Sequence, residues 1–148
     1  MDESLLHFQW RYQHYTLNGL NTTKGETVEV IDPGLYNTDS GPDFSNAKVR
    51  IGDTLWVGNV EMHIKSSDWF THNHQTDNAY NNVILHVVVE HDRTAVTSNG
   101  TEVQTLVIPY PNELVQSHEN LIKSTEWIPC ASKIGIVDSL LINSTIDR

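Results

Sequence analysis

Residues Val83–Val89 decide more than any other stretch what this chain can fold into. Val-Ile-Leu-His-Val-Val-Val is a nearly continuous run of apolar, mostly β-branched side chains, broken only by His86. Such side chains lose rotamer freedom in a helix and fit a pleated surface. A run that does not alternate is the pattern of a strand covered on both faces. The expectation is a central strand paired on both sides, with the rest of the chain arranged to cover it.

The rest supplies the cover. Ser4–Tyr15 reads as a helix, with Leu5, Phe8 and Tyr12 on one stripe and Leu6 and Trp10 widening it. Thr27–Ile31 alternates and then meets the turn residues Asp32-Pro33-Gly34, while Tyr36–Asp43 reads as an ordered loop. Ala47, Val49 and Ile51 face away from Lys48 and Arg50, and Gly52-Asp53 marks a tight turn into a hairpin partner, Thr54–Lys65. On that partner Trp56, Val60, Met62 and Ile64 share one face, with Gly58 among them as a candidate bulge. Leu55, Val57, Asn59, Glu61, His63 and Lys65 share the other, which turns polar toward its end. Asp68–Asn82 is too rich in Asn and Thr for a long helix and admits a single helical turn. Val103–Ile108 is a further strand, and Glu113–Lys123 reads as helical.

The expected organisation is an α+β domain over residues 1–112: an N-terminal helix, then a mixed, mainly antiparallel sheet around a buried strand. Residues 113–148 form a helical tail. Within it Trp127–Arg148 has a stripe (Ile134, Val137, Leu141, Ile142) with little to pack against, which reads as the start of a truncated C-terminal region. The stripe's expected partner is that missing region or a second copy of the chain.

A chain of 148 residues can bury a core without staples. Its net charge of −10, from 19 acidic residues against 9 Lys and Arg, opposes nonspecific association with nucleic acid or anionic membrane. No apolar run is long enough to cross a bilayer, the start Met1-Asp2-Glu3-Ser4 lacks signal-peptide features, and the lone Cys130 cannot pair internally. A cytoplasmic location is the expectation.

Chemistry concentrates in Ser40–Asp92. Asp43 enters one strand of the hairpin and Glu61 lies on its partner, so the two carboxylates can meet. Opposed carboxylates repel unless a cation lies between them, and Mg²⁺ or Mn²⁺ suits such a pair, ahead of Zn²⁺. With His63 or Lys65 beside a bound water, metal-assisted hydrolysis of a phosphodiester follows. The plain alternative is that Asn59, Glu61, His63 and Lys65 form the wet face of a half-buried sheet. A second constellation is histidine: His63, His72, His74, His86 and His91 lie close in sequence to Asp68 and Asp77. Here His72 and His74 are candidate ligands or exposed loop residues, and His86 reads as a hydrogen-bonded core residue. Trp56, Trp69, Phe70 and Tyr80 are either core or a stacking platform, with Trp69-Phe70 the pair read as exposed.

The helix followed by a hairpin bearing Pro42-Asp43 and Glu61-Met62-His63 resembles the PD-(D/E)XK nucleases. That likeness covers the middle third of the chain. It implies a nuclease-like fold with Asp43 and Glu61 on a divalent metal, and nucleic acid as the partner, against the acidic net charge. His63 stands where that motif has Lys, and Lys65 falls two residues late. A longer resemblance is to an uncharacterised bacterial family found in Bacteroidetes and catalogued as domain of unknown function 2851. It rests on Leu5-Leu6-His7, Asn37–Phe44, Gly58–His63, Ser67-Asp68-Trp69 and Tyr80–Val88. It implies longer full-length members and brings no catalytic residues. Three functions remain open: a metal-dependent nuclease-like hydrolase using Asp43, Glu61, His63 and Lys65 (metal on Asp43, Glu61, His72 and His74); a non-catalytic ligand- or protein-binding module; or a structural domain of a longer protein.

Overall fold

The computed structural model describes residues 3–15 and 19–109, with positions 116, 120 and 123. Helix α1, Glu3–Arg11, begins on an acid and ends on a base, which complements its dipole. It stops short of Tyr15 because Gln13 takes left-handed backbone (φ +53°). The Gln13 amide then donates to the Trp10 carbonyl and the His14 amide to the Gln9 carbonyl, the Schellman closure of a helix end.

Strands β1 (Val28–Asp32), β2 (Leu35–Tyr36), β3 (Phe44–Ile51), β4 (Thr54–Lys65), β5 (Val83–Glu90) and β6 (Thr105–Val107) form one sheet. Its order is β1-β3-β4-β5-β6, with β2 beside β3. β1, β2 and β4 run antiparallel to β3, whereas β5 runs parallel to both β4 and β6. The fold is thus α+β around a mixed sheet. Ile51 lies opposite Thr54 across the Gly52-Asp53 turn, where Gly52 adopts φ +57° as a tight hairpin turn requires. The apolar run is the β5 strand, paired on both sides, with Leu85, Val87 and Val88 fully buried.

Parallel strands need a crossover. Between β4 and β5 it consists of a one-turn helix α2, Asp68–Thr71, and two 3₁₀ turns, His74–Thr76 and Asn78–Tyr80. Two sets of side chains make the core. Leu6 and Trp10 of α1 pack with Phe44, Val49, Val60, Met62, Leu85 and Val87. Trp69 and Tyr80 of the crossover pack with Val83, Ala95 and Val103. Each tryptophan that anchors a cover is tied down by its indole N–H, Trp10 to the Pro33 carbonyl and Trp69 to the Val96 carbonyl.

That second cover overturns two sequence expectations. The polar end of β4 is wet at Lys65 but not at the two residues that could do chemistry: Glu61 is 5% exposed and His63 1%. Trp69 is fully buried, and Phe70 is partly buried with the Arg93 guanidinium 3.5 Å from its ring centre. The reverse holds at the start of β4, where Leu55, Trp56 and Val57 are exposed. Pairing with β5 begins only at Asn59, so the hairpin tip projects past the crossover. Gly58 stands where the two regimes meet. A Cβ there would lie 2.5 Å from Ile84 Cγ2 and 2.7 Å from the Asn82 carbonyl, so only glycine admits the incoming β5 chain.

No helix among the described residues is long and apolar enough to cross a membrane. The chain divides into two compact units, 1–110 and 111–148. In the second, Gln116, Asn120 and Lys123 are helical. The apolar stripe of Trp127–Arg148 and Cys130 lie outside the described residues.

Candidate metal centre

Alternation along β4 sends Glu61 and His63 to the same face, toward the crossover. The crossover returns two histidines to them. Asn73 adopts left-handed backbone (φ +63°) between α2 and the first 3₁₀ turn, and this reversal brings the His72 and His74 rings within 5.4 Å of each other. The segment is held at both ends. Ser67 Oγ and its amide donate to Asp92, as does Ser66 Oγ, while Asp77 accepts from the Ala79 amide to start the second 3₁₀ turn. The His74 ring stacks on Tyr80 at 3.8 Å and meets the Trp69 ring edge-on. The histidines are therefore fixed by packing, although they stand on a short irregular segment.

The nitrogens that His63, His72 and His74 can offer a metal all lie within 4.8 Å of one another. His63 Nε2 is 3.0 Å from His72 Nδ1 and 3.5 Å from Glu61 Oε1. His74 Nε2 is 3.1 Å from Glu61 Oε1, yet it is buried and makes no hydrogen bond among the described residues. Donors bound to one ion at about 2.1 Å stand roughly 3.0 Å apart at octahedral angles and 3.4 Å at tetrahedral ones. The 3.0 and 3.1 Å separations match the first of these and the 3.5 Å separation the second. His72 is exposed, so the cluster opens to solvent on that side.

A surrounding layer orients these groups. The Asp43 amide donates to Glu61 Oε2 at 3.2 Å, and the Met62 amide donates to Asp43 Oδ2 at 2.9 Å. Each carboxylate is thereby pinned by the other strand's backbone. His7 of α1 reaches over, its Nε2 3.4 Å from Asp43 Oδ2. On the far side His63 Nδ1 shares a 2.8 Å hydrogen bond with Nε2 of His86, which is fully buried. A ligating histidine keeps its proton on the nitrogen away from the metal. His63 Nδ1 would then donate to His86, leaving its Nε2 lone pair toward His72, His74 and Glu61.

Burial dominates the electrostatics of the cluster. Burial, followed by the charge of Asp43, pushes the Glu61 carboxyl up to about 9, against a hydrogen bond from the Asp43 amide. Burial and the neighbouring imidazoles, His74 first, bring His63 down to about 3. Burial also lowers His74, and it lowers His86 well below the usual range. His7 moves the other way: burial opposes it, but the Asp43 contact and the charges of Glu3 and Glu61 prevail and raise it.

Among the residues singled out from sequence, Glu61, His63, His72 and His74 come together, and Asp43 adjoins them through Glu61. Lys65 is half-exposed and pairs with its ladder neighbour Glu90 of β5 at 3.5 Å. Asp68 accepts from the Lys65 amide, and Asp77 serves its turn. His7 was not visible beforehand, since a lone polar residue beside a helix's apolar stripe carries no signal of what it faces. His86 had one: a histidine inside an otherwise apolar strand must find a buried partner.

The fold and cluster define a class, an α+β domain with a buried carboxylate and three converging imidazoles reached from one side. The family described as protein of unknown function (DUF2851) matches residues 3–148, and the chain belongs to it. No curated protein matches the chain, and no solved structure does.

Proposed function

We propose that this domain is a divalent-metal-dependent hydrolase whose metal is held by His63 Nε2, His72 Nδ1, His74 Nε2 and Glu61 Oε1. The observation that carries the reading is the spacing of those donors, 3.0 Å from His63 to His72, 3.5 Å from His63 to Glu61 and 3.1 Å from His74 to Glu61, with the buried His74 nitrogen making no hydrogen bond among the described residues. His72 is exposed, so water and substrate would reach a metal held there from that side. Imidazole-rich donors with one carboxylate suit Mn²⁺ or Fe²⁺ better than Mg²⁺, which prefers oxygen. A metal there supplies a Lewis acid and lowers the pKa of bound water. Asp43 acts through Glu61 by fixing its second oxygen, and His86 fixes the His63 tautomer.

A phosphodiester is the substrate class we favour, because the helix, the hairpin joining Asp43 to Glu61 and the parallel strand after the crossover follow the order of the nuclease resemblance. In this reading His63, buried and neutral, binds metal in the place of the motif's lysine. The test is hydrolysis of bis(p-nitrophenyl) phosphate by chelator-stripped protein with Mn²⁺ restored. Turnover should need the metal and fall to the stripped level in His74→Ala and Glu61→Gln. Turnover unaffected by either substitution, or none from protein shown to be metal-loaded, would remove the hydrolase reading.

A further inference from the structure

Next to the metal centre a groove of about 240 Å³ lies between α1 and β2, lined by Ser4, His7, Phe8, Arg11, Tyr12 and Tyr36. Its chemistry differs from the surface around it. The Arg11 guanidinium sits 5.5 Å from the Tyr12 ring centre and 5.7 Å from that of Tyr36. A guanidinium set against aromatic rings keeps its N–H edge free to bind an oxyanion bidentately. No carboxylate pairs with Arg11 among the described residues, although the chain carries 19 acids against 9 Lys and Arg. Phe8, Tyr12 and Tyr36 are 43%, 55% and 42% exposed, an unusual concentration of open aromatic surface.

The groove is also joined to the centre. The Tyr36 hydroxyl is 3.4 Å from His7 Nδ1, and His7 Nε2 is 3.4 Å from Asp43 Oδ2. Asp43 in turn holds Glu61. A ligand in the groove therefore touches the opposite edge of the imidazole that contacts the pinned carboxylate pair.

We infer that this groove takes a nucleotide unit, with its phosphate on Arg11 and its planar base against Tyr12, Tyr36 and Phe8. The inference rests on the hydrolase reading for its purpose, since it places a substrate's anionic group beside the metal. Three features select this ligand. Arg11 gives a charge complement on an otherwise acidic chain. The open rings stack on a base without reading its identity. The volume lies below the roughly 300–1,000 Å³ of drug-sized sites, so it admits a single unit. A free nucleotide and the end of a strand offer the same chemistry.

Calorimetric titration of the chelator-stripped full chain separates these cases without cleaving any phosphodiester, using adenosine monophosphate, inorganic phosphate, adenosine and a 5′-phosphorylated tetra-adenylate, with Mn²⁺ uptake titrated separately. The monophosphate should bind at least ten-fold more tightly than either inorganic phosphate or adenosine. Arg11→Ala should weaken it about ten-fold and Tyr36→Ala by several-fold, with Mn²⁺ uptake and circular dichroism unchanged. Tetra-adenylate binding more tightly than the monophosphate identifies a strand end, and equal binding identifies a free nucleotide. Its salt slope should fall by about 0.7 in Arg11→Ala, the loss of one phosphate contact on a single strand. Monophosphate binding no tighter than inorganic phosphate, or unaltered in Arg11→Ala, overturns the inference. If Mn²⁺ binds through His74 and the monophosphate does not bind, the groove inference alone fails. If the monophosphate binds through Arg11 and Mn²⁺ does not bind, the metal reading alone fails.

Discussion

Mn²⁺ added to chelator-stripped protein should raise its thermal midpoint by about 10 °C once the free metal exceeds its dissociation constant a hundred-fold. Ligand that binds only the folded state stabilises it by RT ln(1 + [L]/Kd), about 2.7 kcal/mol at that ratio, and a chain of this size gains roughly 3–4 °C per kcal/mol. His74→Ala and Glu61→Gln should each abolish the rise. The two remove different things: the first a nitrogen that is buried without a hydrogen bond, the second the one carboxylate oxygen that faces both His63 and His74. Lys65→Ala, which loses only a half-exposed pair with Glu90, should leave the rise intact, as exposed pairs contribute little. Binding should also release a proton near neutral pH, because the Glu61 carboxyl is held protonated up to about 9 without metal. Titration in buffers of different ionisation enthalpy reads that proton directly. A midpoint rise of equal size in all the variants would place the metal elsewhere.

The second large effect is the pH profile of the stripped protein. His63, lowered to about 3, and His86, lowered well below the usual range, remain neutral in the folded state while their unfolded counterparts protonate below about 6.5, and His74, also lowered, acts in the same direction. Their contribution is full above that pH and is lost as pH falls toward the folded values. Glu61 has the opposite sign. Its folded pKa of about 9 lies above its unfolded value, so its contribution is full at low pH and is lost as pH rises toward 9. Each proton of difference tilts stability by about 1.4 kcal/mol per pH unit. Between about pH 4.5 and 6.5 the histidines outnumber Glu61 and stability climbs. Above 6.5 Glu61 acts, with His7 in the same direction, and stability declines. Urea unfolding across pH 4.5–9 should therefore give a maximum near 6.5. Glu61→Gln should flatten the alkaline side, as should saturating Mn²⁺. An alkaline limb unchanged by Glu61→Gln would contradict the assignment.

Much of this fold is written in local patterns. The β5 run, the Gly52-Asp53 hairpin and the α1 periodicity each announce their element through a period or a turn residue, but α1 buries Leu5, Leu6, Gln9 and Trp10 and leaves Phe8 and Tyr12 of the expected stripe exposed. The helix end at Arg11 is less legible, because Gln13 adopts left-handed backbone without being glycine or asparagine. The burial of Glu61 and His63 was hidden for another reason. Alternation along β4 marks which residues share a face but not whether that face is covered, and the cover is an irregular segment with no periodicity of its own. Its anchor Trp69 reads, beside Asp68 and Phe70, as a surface aromatic until the indole N–H is seen to reach the Val96 carbonyl. The candidate site was half legible for the same reason. Glu61, His63, His72 and His74 could be chosen as residue types suited to a metal, but their convergence depends on the backbone reversal at Asn73. His7 and Arg11 belong to a helix whose sequence says nothing of the strand it crosses.

Occupancy of the cluster by one metal ion should be visible in anomalous diffraction from crystals grown with Mn²⁺. The expected map has a single strong anomalous peak about 2.0–2.3 Å from His63 Nε2, His72 Nδ1, His74 Nε2 and Glu61 Oε1, with His63 Nδ1 still bonded to His86. A map with no peak there, and with His63 and His72 still joined by a 3.0 Å hydrogen bond at saturating metal, would contradict it.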